Sequence, residues 1–439
     1  MPGSDRWIVG LMMAVMFTSG ADLLVINPTL PQMAADLEVS VELASTWVSA
    51  YALATGTFAL LFGPVSDRFG RRRVLLFGLA TLTFGMALCG LAQDFWQLVG
   101  ARFVAGAGAG MLVTSTTSFI GDHFDDQSRA IAMGWVMSGF FLSLILAVPI
   151  GAWLAHSLGW PNMFKALAGV SGLTWVLVAI TVGEPRFERR ARRLSLGGAL
   201  GNYGRLLRHG PSLGVLLFSA SIGLSMTMFS VYTAPWLEET YGFSTLDRGL
   251  MYGVGGPAIL IGGPLSGRLA NRLGRLRLVG VGTCSMALML LVMPFTPEMG
   301  RLLPGIGPSW GETPLLEVLP SAIAFFLAIC SGSIRAGPYM TLALEVVEPE
   351  QRGAMSALRN TFNHVGGTLG ASLGALVWAQ ASLRYPAVCV CSAATTLGGL
   401  LLLRTFMNRP RSAPAPSSEA VSPDVESDVR SHPELPPVR

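Results

Sequence analysis

Asp22, Arg102, Arg335, Arg359 and His364 stand inside stretches too apolar to live in water, so each needs a partner, a water-filled cavity or a ligand. Asp22 lies fifteen residues into the run that starts at Trp7, about 22 Å along a helix. Arg102 enters the run that starts at Trp96 from the opposite side, about 9 Å below that surface. In a hydrocarbon core of about 30 Å these depths coincide, and an ion pair is expected. Burial favours the neutral acid and a nearby guanidinium favours the carboxylate, so a pair whose spacing changes can load and release a proton. The alternative is a static salt bridge that only lets both residues insert; for Arg102 the two readings stand side by side.

A second set of groups differs in kind. Arg335 and Arg359 lie at similar depth, about 8–10 Å from one surface, and no acid lies near them in the apolar runs of that half. Two like charges at one depth suit an anionic ligand; the alternatives are snorkelling to lipid phosphates or bonds to helix-end carbonyls. Arg359 and Asn363 are four apart, as are Asn360 and His364, which predicts one polar stripe facing a cavity. His364 reads equally as a proton relay or as a hydrogen-bonded core histidine. Met226, with Met228 and Phe229 beside it, predicts an adaptable apolar lining.

The elements that position these groups follow from composition. Of 439 residues 51% are hydrophobic and only 13% charged, and the mean hydropathy is +0.54; one soluble core cannot hide that much apolar surface. Lipid must be the solvent. Twelve runs are long enough to cross it: residues 7–27, 44–62, 74–92, 96–120, 130–154, 164–182, 212–233, 249–269, 278–295, 316–342, 354–378 and 386–407. An all-α integral membrane protein of twelve transmembrane helices is expected. Arginines crowd alternate loops, at Arg68 to Arg73, at Arg186 to Arg208 and at Arg268 to Arg277, while the other side has only Lys165, Arg248, Arg301 and Arg384. By the positive-inside rule both termini are cytoplasmic. The first run keeps Asp22 and lacks a small-residue cleavage site, so it does not read as a signal peptide.

The chain repeats itself. Gly63 to Arg73 reads GPVSDRFGRRR and Gly267 to Arg277 reads GRLANRLGRLR; an offset of 204 carries Pro31 onto Pro235, Gly63 onto Gly267 and Asp67 onto Asn271, and an offset of 223 carries Asp122 onto Glu345 and Arg129 onto Arg352. The difference is placed in a Pro/Gly-rich external loop around residues 300–314. Two pseudo-symmetric six-helix bundles are expected, at 1–183 and 211–407, joined by a cytoplasmic linker at 184–210 and followed by a disordered tail at 408–439. The first offset puts Met226 opposite Asp22, so the fold itself does not require that acid.

Several functions are excluded. The sole lysine, Lys165, sits in NMFK, so no Gly-Lys phosphate cradle exists. Gly106, Gly108 and Gly110 follow no strand and read as close helix packing, not as a dinucleotide site. The five cysteines sit in apolar runs without metal-ligand spacing. No cofactor, no metal and no nucleic-acid partner is expected, and the net charge of +4 is accounted for by topology. No nucleophile arrangement suggests an enzyme.

Six plus six spans, the motif at Gly63 to Arg73, the Arg-x-x-x-Gly at Arg102 to Gly106 and the NPTLP closing the first run at Asn27 resemble the major facilitator superfamily. Within it the chain looks most like the twelve-span drug/proton antiporters of bacterial inner membranes. That resemblance implies a conformational lock at Gly63, Asp67, Arg68, Gly70, Arg71 and Arg72: the residue matching Asp67 sits under the start of the eleventh helix, and the one matching Arg71 meets an acid at the inner end of the fourth, here Asp122. Arg68 to Arg73 also read simply as a positive-inside anchor. The expected function is export of a drug or metabolite in exchange for protons, with Asp22, Arg102 and His364 in coupling and Asp22, Met226, Arg335, Arg359, Asn360, Asn363 and His364 around the substrate, in a protein that works as a monomer. The fifth run reads AVPIGA where those antiporters carry Gly-Pro-x-x-Gly-Gly. That departure, with Arg335 and Arg359, favours the alternative of an organic-anion uptake symporter. A transporter-like sensor or scaffold without flux is the alternative of another class.

Overall fold

The computed structural model describes residues 3–184, 196–303, 309–310, 313–348, 351–380 and 384–408. Each apolar run becomes a helix, since in hydrocarbon every backbone N–H and C=O must be satisfied within its own segment. In chain order these are α1 (Gly3–Asp36), α2 (Val41–Phe69), α3 (Arg71–Cys89) and α4 (Phe95–His123). The fifth crossing is α5 (Asp126–Leu142) running through a π turn at Ser143–Ala147 into α6 (Val148–Leu158), and the sixth is α7 (Trp160–Thr181). A short α8 (Leu196–Arg208) precedes α9 (Gly210–Tyr241), α10 (Thr245–Gly253), α11 (Gly255–Leu273) and α12 (Arg275–Val292). After α13 (Thr296–Arg301) and a two-stranded ribbon of β1 (Ser309–Trp310) and β2 (Thr313–Pro314) come α14 (Leu315–Glu345), α15 (Arg352–Gln380) and α16 (Arg384–Met407).

Local chemistry starts the helices where the runs start. Ser40, Asp94 and Asp125 cap α2, α4 and α5 by accepting from Leu43, Gln97 and Ser128 N–H, and Ser244 with Asp247 forms a capping box on α10. The bonds from Ser128 hold the exposed Asp125 carboxyl below its ordinary range. Pro149 removes an N–H from the fifth crossing, and the ladder widens into the π turn just before it.

Ten helices among the described residues are long and apolar enough to cross a membrane. The eighth crossing, split into α10 and α11, and the eleventh, α15, complete the twelve. Phe77, Phe84, Trp135, Ile180 and Leu401 are exposed around the outside, a surface that suits lipid and not water. The molecule is an all-α integral membrane protein. Residues 300–314, expected as a plain loop, instead contain the end of α13 and the ribbon, with Gly300 packed against the Glu317 carbonyl and Thr313 donating to the Tyr241 carbonyl. The tail from 409 and most of the linker before Leu196 lie outside the described residues; Leu206 of α8 is buried against the second bundle.

The repeat has a physical counterpart. Gly70 and Gly274 both take the positive φ, 103° and 81°, that lets one crossing turn directly into the next. Arg71 Nε lies 2.8 Å from Asp122 Oδ2, tying the start of α3 to the end of α4, and Arg275 pairs with Glu345 between the corresponding helices of the second half. Gly106 and Gly110 of α4 bring its backbone against α2 at Tyr51 and Thr55, while Gly108 turns to α3 at Leu82. These are close helix contacts.

Both ends of the chain as described, Gly3 and Met407, lie on the face that carries Arg71, Arg72, Arg205 and Arg275; Asp94, Glu238 and Glu298 lie on the distal face. With the native cysteines replaced, Arg208→Cys should stay unlabelled by an impermeant maleimide on intact cells while Glu298→Cys is labelled; the reverse pattern would invert the orientation.

Candidate functional site

Among the described residues, the one carboxylate deep in the first bundle meets its expected partner. Arg102 Nη1 donates to Asp22 Oδ1 at 2.8 Å, and both side chains are wholly buried. Tyr51 of α2 lies 4.2 Å under the guanidinium, and Phe164 of α7 borders it at 5.9 Å; the rings supply cation–π attraction where water is excluded. Asp22 Oδ2 and Arg102 Nε have no hydrogen-bond partner among the described residues. The pair is closed off in this state, and Asp22, expected beside the substrate, does not line the cavity described next.

That cavity, of about 400 Å³, runs between the bundles. Its distal part is aromatic: Phe229 stacks on Phe325 at 5.8 Å, and Tyr252 meets Phe325 edge-on at 5.6 Å. Towards the terminus-bearing face it is lined by Arg335, Tyr339, Arg359 and Asn363. Met226 lines it as expected, but Met228 is buried and packs on Gly374 of α15. The predicted stripe on α15 splits. Arg359 and Asn363 face the cavity, whereas His364 packs its Cβ against Gly56 of α2 and Asn360 Oδ1 accepts from Arg359 at 3.0 Å. Residues four apart share a face only within the width of one turn, and here α2 occupies part of it.

The loop between α2 and α3 divides similarly. Arg71 holds Asp122, but both belong to the first bundle. Arg72, expected in the lock, donates instead to the Val182 and Ala179 carbonyls at 2.5 and 2.7 Å, satisfying the C-terminus of α7. Arg68 is exposed beside Phe69, and a Cβ at Gly63 would meet nothing within 4 Å. The Asp67 side chain lies outside what the structure describes.

Sequence reasoning missed a seam across the distal face. Arg248, taken for a loop residue, is buried; it donates to the Pro28 carbonyl of α1 at 3.0 Å and pairs with Glu238 at 2.5 Å. Thr245 donates to Gln32 at 2.9 Å, and Asn27 to Ser230 at 2.9 Å. Below these bonds Gly249 admits Ala152 and Gly253 admits Pro149, so the AVPIGA stretch is packing surface between the bundles. α2 and α15 continue the contact to mid-depth, where Ser49 donates to the Thr368 carbonyl and Thr361 to that of Gly56. The sequence carried no signal for this seam: Arg248 stands just before the apolar run at 249–269 and reads as a loop residue. The cavity is therefore sealed distally.

A model of the Major Facilitator Superfamily matches residues 12–311. The chain belongs to that superfamily. It is similar to the uncharacterized MFS-type transporter YceJ of Bacillus subtilis (strain 168), at 27% identity over 400 residues, covering 91% of this chain and 96% of that one. It is also similar to the multidrug resistance protein Stp of Mycobacterium tuberculosis (strain CDC 1551 / Oshkosh), at 25% identity over 416 residues, covering 82% and 74%. Among solved structures, a D-xylose–proton symporter superposes with a TM-score of 0.72 at 16% identity over 91% of this chain and 97% of that one. A bacterial homologue of the lysosomal transporter Spinster, inward-facing and unoccupied, superposes with a TM-score of 0.67 at 16% identity over 92% and 96%. At such identities the superpositions speak for the fold. As a major facilitator the protein is a membrane transporter and not an enzyme.

The seam yields a test. A Cβ at Gly249 would lie 2.1 Å from Ala152 Cβ, so Gly249→Leu should prise the distal face apart. An Ile329→Cys reporter in the cavity should then react several-fold faster with an impermeant reagent from the distal side.

Proposed function

We propose that this transporter exports a small organic molecule in exchange for protons, by alternating access of the central cavity, in a bacterial inner membrane with the terminus-bearing face cytoplasmic. The observation that carries the reading is the Asp22–Arg102 pair, fully buried, joined at 2.8 Å and set apart from the cavity. The second half has Met226 at the matching position, so the acid is not an architectural need. Separating the pair changes the carboxylate's preference for a proton, and a movement of α1 against α4 is the event that does so. The cavity, closed distally, is then the cytoplasm-facing state that collects substrate. Similarity to a protein named for multidrug resistance supports export, and a monomer contains the whole pathway. Asp67, Arg71 and Asp122 are assigned to the balance between states, with Arg71 and Asp122 holding the loop in shape.

Purified protein in proteoliposomes with an internal pH dye tests the coupling. Asp22→Asn should fold, since an amide is cheaper to bury than a charge, yet lose substrate-driven proton movement. Unchanged proton flux in that variant would transfer coupling to another group. Arg102→Met should leave Asp22 buried without its cation and lower stability by about 3–5 kcal/mol, read as a reduced Tm in detergent.

A further inference from the structure

The buried arginines among the described residues, Arg102, Arg248 and Arg335, fall into two kinds. Arg102 has Asp22 at 2.8 Å and Arg248 has Glu238 at 2.5 Å. Arg335, only 3% exposed, has neither: its one hydrogen bond among the described residues runs from Nη1 to Thr396 Oγ1 at 3.4 Å. Arg359 on α15 donates to the neutral Asn360 on its own helix at 3.0 Å. Neither has an acidic partner among the described residues, and both line the same cavity. Tyr339 lies near both guanidiniums, but its hydroxyl proton is committed to the Val215 carbonyl at 2.8 Å, and a neutral phenol does not balance their charge.

A desolvated cation without a counter-charge costs several kcal/mol, and here the buried Arg335 and the half-buried Arg359 border one space. Snorkelling is closed to Arg335, which is held among its neighbours with Gly282 of α12 at its backbone. The remainder of the cavity is of the opposite character, with Phe229, Phe325 and Tyr252 presenting rings at the distal end. No carboxylate among the described residues lines it, so a cationic ligand would meet two like charges and no acid among those residues.

We propose that the cavity takes an amphipathic organic anion: one carboxylate, sulfonate or phosphate-type group between Arg335 and Arg359, with an apolar, ring-bearing body against Phe229, Tyr252 and Phe325. Two guanidiniums from different helices lining one cavity can offer such a group paired N–H donors. The proposal rests on this cavity being the transport site and names the substrate class for it. An anionic solute and an anionic lipid headgroup share the chemistry; the lateral arm of the experiment separates them.

The test is equilibrium binding to the full chain in a neutral maltoside detergent, using three probes of one shape: 1-naphthoate, 1-naphthamide and 1-naphthylmethylammonium. The wild type should bind naphthoate most tightly and the ammonium least. Arg335→Gln should weaken naphthoate by about tenfold or more, the worth of a charge-assisted hydrogen bond, and change naphthamide little; Arg335→Lys should retain part of the preference. Arg359→Gln is the parallel variant if Arg335→Gln fails to fold. Equal losses for naphthoate and naphthamide, or tightest binding of the ammonium, overturn the proposal. In the second arm, nanodiscs of phosphatidylglycerol and of phosphatidylcholine are compared. Naphthoate binding in both supports a soluble anion, and its loss only in phosphatidylglycerol assigns the site to lipid and overturns the substrate reading. Because no flux is measured, failure here leaves proton-coupled export standing, and failure of the proton assay leaves the anion site standing.

Discussion

Hydrocarbon does not solvate charge, and every later feature of this molecule follows from how that constraint is met. Backbone polarity is absorbed by helices. Side-chain charge is met in three ways: by an acid, as for Arg102 and Arg248; by helix-end carbonyls, as for Arg72; or by opening a cavity, as for Arg335 and Arg359. The first two fix structure within or between bundles. The third leaves an unmet demand for a counter-charge, and on that demand the proposed anion site rests.

One helix links the parts of the pathway. Along α1, Asp22 holds Arg102, Leu24 forms cavity wall, Asn27 and the Pro28 carbonyl take bonds from or give them to the second bundle, and Gln32 accepts from Thr245. The buried ion pair, the cavity wall and the distal seam thus sit within about three turns of one helix. Under the coupling proposed for Asp22, such a connection keeps events at the acid and at the seam from being independent. The seam itself is made of few hydrogen bonds and of small residues such as Gly249 and Ala152 in contact, which suits a surface that forms and parts repeatedly.

Symmetry separates architecture from function. The ion pair Arg71–Asp122 recurs as Arg275–Glu345, and the turn at Gly70 recurs at Gly274, so in either half these hold the loop in the shape that any role in the balance between states requires. Asp22 recurs as Met226, and Arg335 and Arg359 stand in the second half alone with no acidic partner among the described residues. What the two halves do not share is where the proposed roles are placed.

Hydropathy, arginine placement and the repeat determined the twelve crossings, because the solvent constraint acts on each segment separately and leaves its mark in local composition. The depth of Asp22 and Arg102 foretold their pairing, since two lengths along straight helices are enough to bring groups to one level. Depth does not say which way a side chain turns. The neighbouring helix decided that: α2 took His364 away from the cavity, α7 drew Arg72 from the loop, α15 took Met228, and α1 made of Arg248 a bond across the seam. Those outcomes depend on the rotation of one helix against another, set by packing between residues hundreds of positions apart, and no single stretch of sequence records it.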